Sequence, residues 1–199
     1  MHALLNRVGP SATDMIRADH TRVLATFHRY KASTSAATKR ALVGHICLAL
    51  EIHAQLEEEI FYPAMREVDA ALVEKSYPEH EELKRRIAML RDMEPEAPQY
   101  DQAFMELMRN VVHHVADEET ALLPKAEALL GQARIRELGA QMTKRRLELS
   151  APRAGEIAAT SVRTMAPATM LVTAGAIVAG ALLFRHATRS RLFGGRFKL

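Results

Sequence analysis

Apolar residues recur at spacings of three and four positions through the first 150 residues of the chain, where glycine and proline are sparse. This period matches one face of an α-helix, whereas a strand would alternate apolar and polar residues. No alternation of that kind is present. The pattern therefore predicts an all-α fold, with helices at about 13–31, 38–66, 70–91, 99–130 and 134–149.

Short turns join the first four of these helices, and the clearest is a loop of proline and glutamate at 94–98. Long helices joined by short turns pack against each other in antiparallel fashion. We therefore predict an up-and-down antiparallel four-helix bundle over residues 1–131, ended by Gly131. Pro78 is expected to kink the third helix. The more basic fifth helix, at 132–150, is predicted to connect the bundle to the tail.

The C-terminal part of the chain has a different composition. Residues 151–163 predict a linker, and residues 164–184 form a run of 21 residues without a charge. That length is about the ~20 residues that a helix needs to cross a bilayer. We therefore predict a transmembrane helix, with a buried core helix or a helix packed on a partner as alternatives. Residues that characterise the predicted span are Met165, Leu171, Gly175, Ala176, Gly180 and Phe184.

Charge divides sharply along the chain. Residues 1–150 carry 20 basic and 23 acidic side chains, whereas residues 151–199 carry seven basic side chains and one acidic one. The formal net charge of +3 therefore comes from the tail. Without a basic field over the main domain, we predict no nucleic-acid partner. The basic tail at 185–199 instead favours membrane lipid, or a membrane-protein partner bound through the C-terminal helix.

These features predict a single-pass membrane protein held by its C-terminal helix, with the bundle on the cytoplasmic side. The positive-inside tendency of the basic tail favours the opposite orientation. However, the N-terminal residues lack the apolar stretch of a signal peptide that would export the bundle.

Histidine and glutamate are the candidate functional residues, because the single cysteine, Cys47, excludes a disulfide framework and a cysteine-based metal site. His53 and Glu57 stand four residues apart, as do His114 and Glu118, so each pair shares one face of its helix. His20 and His80 lie in the middle of the other two helices. Counting residues from the shared turns places one histidine of each helix at a common level of the bundle.

Four imidazoles and two carboxylates suit two first-row transition ions bridged by the carboxylates. Iron is the favoured metal, with manganese or zinc less favoured. A single tetrahedral zinc ion would leave donors unused.

Four motifs in order, DH at 19–20, HAQLEEEIFYP at 53–63, EHEELK at 79–84 and HVADEETALLP at 114–124, resemble the hemerythrin-like, or HHE cation-binding, domain family. The resemblance covers about residues 10–130. It implies a four-helix bundle that holds two non-haem iron ions with an oxo or hydroxo bridge and binds O2 or responds to it. The implied metal ligands are His20, His53, Glu57, His80, His114 and Glu118.

The same resemblance places Ser76 where oxygen-carrying members have a fifth histidine. This difference argues against simple O2 carriage and leaves a coordination position for water, peroxide or NO. Glu58 is an outer residue or an alternative ligand, and His113 competes with His114. Tyr62 is expected to close the site or to hydrogen-bond a ligand.

Three functions follow from these observations. The leading one is a membrane-tethered di-iron protein that binds or senses O2 or a related small ligand. An enzyme that decomposes peroxide or NO is the second, although no residue is assigned a catalytic role and binding is favoured over catalysis. An iron-binding accessory subunit of a membrane complex is the third.

Overall fold

The computed structural model describes residues 9–164, with side chains to residue 160, and those residues contain helices and no strand. The helices are α1 (Ala12–Phe27), α2 (Ala36–Leu56), α3 (Tyr62–Arg66), α4 (Ala70–Glu74), α5 (Ser76–Asp92), α6 (Tyr100–Asp117), α7 (Leu123–Ser150) and α8 (Ala154–Thr164). Two π-helical turns, π1 (Glu57–Phe61) and π2 (Glu118–Leu122), continue α2 into α3 and α6 into α7. The predicted all-α fold is confirmed for the described residues.

Local chemistry explains where the first two helices begin. Ser11 caps α1 by accepting a hydrogen bond from the Asp14 backbone, while the Asp14 carboxylate accepts one from the Ser11 backbone. Ser35 caps α2 in the same way through the Thr38 backbone. α2 therefore begins two residues earlier than the sequence pattern predicts.

Each π-helical turn begins at one of the predicted glutamate ligands and is followed by a proline. Pro63 lies six residues after Glu57, and Pro124 lies six residues after Glu118. Proline has no backbone N–H and its ring crowds the carbonyl four residues earlier, so the α-helical ladder cannot continue through it. The backbone closes the wider turn instead, with the Tyr62 N–H donating to the Glu57 carbonyl.

Two apolar clusters fill the bundle. One contains Ile16, Leu56 and Met65 with residues of α7, and the other contains Val23, Ile87 and Phe104. Along the chain, each predicted histidine ligand lies between a residue of one cluster and a residue of the other, as His20 lies between Ile16 and Val23. The polar centre is therefore enclosed by apolar side chains at both of its ends.

The helix predicted at 132–150 as the connection between the bundle and the tail also packs on the bundle itself. Gly131 breaks α7 with φ 72°, and the chain then resumes as a helix packed along α1. Ile135, Leu138 and Met142 are buried in the first apolar cluster. A Cβ atom on Gly139 would lie 2.3 Å from the Pro10 carbonyl oxygen, so glycine allows this close approach.

Two predictions need correction. Pro78 does not kink a continuous helix, because the break lies at Lys75 and Pro78 sits in the first turn of α5, where no N–H is needed. The predicted linker at 151–163 contains α8 instead. Ile157 packs against the first apolar cluster, and Glu156 accepts a hydrogen bond from Arg91 at 3.0 Å, so tertiary contacts stabilise this helix.

The predicted transmembrane helix at 164–184 and the basic tail at 185–199 lie outside the described residues. Among the helices that the structure describes, none combines the length and the apolar character needed to cross a membrane.

Candidate metal centre

The structure brings the six predicted ligands together in the middle of the bundle. Each helix of the bundle contributes one histidine, and the two π-helical turns contribute the glutamates. All six are buried, with at most 4% of their surface exposed: His20, His53, Glu57, His80, His114 and Glu118.

The histidines form two pairs. The rings of His20 and His53 lie 4.9 Å apart, and we call this pair the α1/α2 subsite. The rings of His80 and His114 lie 4.7 Å apart, with their Nε2 atoms separated by 3.1 Å, and we call this pair the α5/α6 subsite. Neighbouring helices therefore present their imidazoles in two adjacent groups.

Each glutamate contacts both subsites. Glu57 Oε2 lies 3.2 Å from Nε2 of His53 and 3.4 Å from Nε2 of His80. Glu118 Oε2 lies 3.3 Å from Nε2 of His20 and 3.6 Å from Nε2 of His114. The two carboxylates are thus placed between the pairs, which is the arrangement needed to bridge two cations.

Unsatisfied atoms show that this donor set fits metal ions. Four buried atoms that face the centre have no hydrogen-bond partner: His20 Nε2, His53 Nε2, Glu57 Oε1 and Glu118 Oε2. Buried polar atoms are rarely left unpaired, because each costs about 1–3 kcal/mol. Bound cations would satisfy these lone pairs, and the ligand atoms lie within 4.8 Å of one another in each candidate group.

The pKa shifts of Glu57 and His53 agree with this assignment. Burial and the charge of Glu118 raise the pKa of Glu57 well above its usual value. Burial lowers the pKa of His53 to about 4, so its imidazole is neutral at pH 7. Neutral imidazole and ionised carboxylate are the forms that bind metals. Positive charge at the centre would therefore allow Glu57 to ionise beside Glu118.

A ring of carboxylates surrounds the four histidines. Glu119 lies 2.9 Å from Nδ1 of His20, Glu58 lies 2.9 Å from Nδ1 of His80, and Glu79 lies 2.9 Å from Nδ1 of His114. Asp19 faces Nδ1 of His53 at 3.6 Å. Each carboxylate lies on one helix of the bundle, or on the π-helical turn that continues it, and contacts the histidine of another helix. Such contacts fix the Nδ1–H tautomer and direct Nε2 towards a metal.

Tyr62 lies inside the centre rather than at its edge. Its hydroxyl donates a hydrogen bond to Glu118 Oε1 at 2.8 Å and lies 3.1 Å from His80 Nε2. Burial and the charges of Glu57 and Glu118 raise the pKa of Tyr62 well above its usual value, so the hydroxyl keeps its proton. The expected hydrogen bond from Tyr62 to a ligand residue is therefore present.

The outer residues were only partly predictable. Glu58 occupies the predicted outer position. His113 does not reach the centre, because it is exposed on α6 and lies with Glu79 and Asp117 at the surface. Asp19 and Glu79 were missed as site residues. Their signal in the sequence is an acidic residue directly beside a metal-ligand candidate, as in Asp19-His20 and Glu79-His80.

Comparison with known proteins identifies the family. The family model described as the hemerythrin HHE cation binding domain matches residues 11–126, which is more than half of the chain. This chain belongs to the hemerythrin HHE family. Membership implies metal-ion binding, typically of iron, and the two His/Glu groups of this HHE domain could hold the metal.

Two similar proteins add context for the HHE domain. A solved hemerythrin HHE cation binding domain-containing protein from Mycobacterium kansasii superposes with a TM-score of 0.64 and 19% identity, over 78% of this chain and 99% of that chain. This similarity shows the fold. A DNA nickase from Nostoc sp. is 31% identical over 110 residues, which are 55% of this chain and 31% of the nickase. The chain therefore spans about a third of that relative.

Proposed function

We propose that this chain is a non-haem di-iron protein that binds O2, or a closely related small ligand, at the His/Glu centre. The observation that supports the proposal most strongly is the position of Glu57 and Glu118, each in contact with one histidine of each subsite. His20 and His53 would hold one iron ion, His80 and His114 the other. The imidazole-rich donor set favours iron over magnesium or calcium, which prefer oxygen ligands.

A pair of ferrous ions, when bound, supplies the two electrons by which O2 can be held in reduced form. The chain provides the surroundings for this chemistry. The two apolar clusters exclude bulk water, and the outer carboxylates contact each imidazole at Nδ1. The Tyr62 hydroxyl offers a hydrogen bond next to the α5/α6 subsite. Among the described side chains, Tyr62 provides the only phenol hydroxyl that contacts the six metal-ligating residues. A small molecule bound near Tyr62 could therefore accept a hydrogen bond from it.

The test combines metal analysis with an optical difference spectrum. Protein loaded anaerobically with ferrous iron should contain two iron ions per chain and develop a near-ultraviolet or visible band when O2 is admitted. His53→Ala should lose about one of the two ions. Metal-free protein that takes up no iron, or loaded protein whose spectrum ignores O2, would contradict the proposal.

The second candidate function is decomposition of peroxide or NO, and it is favoured by Ser76. This buried residue stands one turn before His80, at the position where the family resemblance expects a fifth histidine. The α5/α6 subsite therefore has one imidazole fewer than the same subsite of the oxygen-carrying members. Steady consumption of peroxide or NO by the iron-loaded protein, lost in His80→Ala, would support an enzyme. Stoichiometric binding without turnover would support a binding or sensing protein.

The chain is also proposed to be tethered to a membrane by residues 164–184, with lipid or a membrane protein as the partner and the bundle on the cytoplasmic side. Support comes from the sequence alone, through the uncharged run and the basic residues that follow it. Full-length protein should remain in the membrane pellet after alkaline carbonate extraction. A variant that carries Leu171→Lys and Ala176→Lys should move to the supernatant. Extraction of the unaltered protein would contradict tethering.

A further inference from the structure

Asp19 differs from the other three carboxylates of the outer ring. Glu58, Glu79 and Glu119 each approach their histidine to 2.9 Å, whereas Asp19 Oδ2 stays 3.6 Å from His53 Nδ1. Asp19 is also buried, with 8% of its surface exposed. The histidine with the longest outer contact thus faces the most deeply buried carboxylate of the ring.

A bidentate ion pair accounts for this difference. Arg146, on α7, donates from Nη1 to Asp19 Oδ1 at 2.8 Å and from Nη2 to Asp19 Oδ2. Arg22 also donates to Oδ1, at 2.9 Å. Oδ2 is therefore shared between the guanidinium of Arg146 and the imidazole of His53. Arg146 lies 20 positions beyond residue 126, where the family match ends.

We propose that Arg146 is a positioning residue that acts on His53 through Asp19 and weakens cation binding at the α1/α2 subsite. The inference rests on the proposed metal site. It assigns a role at the metal centre to the second half of α7, which lies outside the residues that the family model matches.

Three physical effects of Arg146 all weaken cation binding at the α1/α2 subsite. The guanidinium occupies lone pairs of Oδ2, so His53 Nδ1–H receives a weaker acceptor and its Nε2 is a weaker donor to metal. The positive charge lowers the electron density of the carboxylate. The same charge repels a cation held nearby in a buried, low-dielectric site. Removal of Arg146 while Arg22 still holds Oδ1 should therefore strengthen cation binding.

The experiment is a double-mutant cycle with zinc, which is redox-inert, titrated into full-length metal-free protein. The variants are Arg146→Met, Asp19→Asn and their combination. Arg146→Met should bind one of two zinc equivalents about tenfold more tightly, since changes around a metal-binding histidine alter affinity by about 10–100-fold. In the Asp19→Asn background the same change should have a clearly smaller effect, because only the direct repulsion between the charge and the cation remains there.

Two further variants separate positioning from a general role in stability. Arg145→Met is the matched control. Arg145 is the residue directly before Arg146 and forms a similar ion pair with Glu59 at 2.6 Å, away from the centre. This variant should leave both zinc affinities unchanged. Arg146→Lys, which keeps the charge, should stay close to the unaltered protein. If Arg146→Met unfolds, Arg146→Gln tests the contribution of the charge, because it removes the charge and keeps an N–H donor, and it should also tighten binding of one zinc equivalent.

A metal-free measurement distinguishes the two proposals. The ¹⁵N signal of His53 Nδ1 should shift in Arg146→Met towards a stronger hydrogen bond, and should not shift in Arg145→Met. An equal tightening in the presence and absence of Asp19, or an unchanged Nδ1 signal, would overturn the role of Arg146. Failure of every variant to bind zinc, with the Nδ1 shift intact, would instead count against the metal site alone.

Discussion

Removal of a single oxygen atom, in Tyr62→Phe, tests how the centre is held before metal binds. Tyr62 is fully buried, and its hydroxyl is the hydrogen-bond partner of Glu118 Oε1 at 2.8 Å. Glu118 Oε2 has no hydrogen-bond partner. The substitution therefore leaves a buried, ionised carboxylate without a hydrogen bond on either oxygen.

The expected cost can be worked out from this contact. Hydrogen bonds to charged groups contribute about 1.5–3 kcal/mol. The phenylalanine ring fills the same space, so no cavity term is added. Metal-free Tyr62→Phe should therefore lose about 1.5–3 kcal/mol in the free energy of unfolding. Since a bound cation would satisfy Glu118, zinc should stabilise the variant more than it stabilises the unaltered protein, by about the same amount.

Urea unfolding at pH 7, with and without zinc, measures both quantities. Tyr77→Phe is the control, because the Tyr77 ring packs 5.5 Å from that of Tyr62 while its hydroxyl makes no hydrogen bond to the described site residues. It should change stability by less than about 0.5 kcal/mol. Equal stabilities of the two metal-free variants would refute the reasoning. So would a Tyr62→Phe deficit that zinc leaves unchanged.

Three further outcomes are expected. Gly139→Ala should destabilise the protein by about 1–2 kcal/mol in thermal unfolding, because its Cβ meets backbone atoms; Gly155→Ala, which has open space, should be neutral or stabilising, and the reverse order would contradict the close packing of α7. Cys47, whose pKa burial raises to about 12, should react with iodoacetamide at pH 8 only after addition of urea. The hydrogen bond from Lys39 lowers the pKa of Asp101, so Lys39→Met should cost up to about 1 kcal/mol at pH 7, and this deficit should shrink as the pH falls through that pKa.

The ligands were predictable from sequence because their geometry is local. Four residues of separation place His53 and Glu57 on one face of a helix, and the same spacing applies to His114 and Glu118. The height of each histidine along an antiparallel bundle then follows from the number of residues between it and the turn that joins two neighbouring helices. Neither step requires knowledge of which helices touch.

The outer ring was only partly predictable: Glu58 was predicted as an outer residue, but the pairing of each carboxylate with a histidine of another helix was not. Asp19 stands beside His20 in the chain yet faces His53 across the bundle. The spacing of residues within one helix carries no information about such contacts between helices.

Tyr62 shows a second limit of reasoning from regular helical geometry. α-Helical counting places Tyr62 about 140° away from Glu57 around the helix axis. The π-helical turn closes one circuit over these five residues, so both side chains face the centre. The proline that follows was visible in the sequence, but its effect on the helix type was not anticipated.

The C-terminal helices show a third limit. Periodicity predicted the helix that follows Gly131, but not the surface of α1 on which it packs. α8 has few large apolar residues, so composition indicated a linker where Ile157 and Glu156 make tertiary contacts.

The closed ring of carboxylates links folding to metal occupancy. Since each histidine is oriented by a carboxylate from elsewhere in the bundle, no two helices can assemble a complete subsite, and ions bind only when the whole bundle has formed. At a free metal concentration about 1,000 times the dissociation constant, one ion adds roughly 4 kcal/mol to the stability of the folded state. That energy is shared by every helix of the bundle, so local fraying near the centre is suppressed and the loaded domain should melt in one cooperative step.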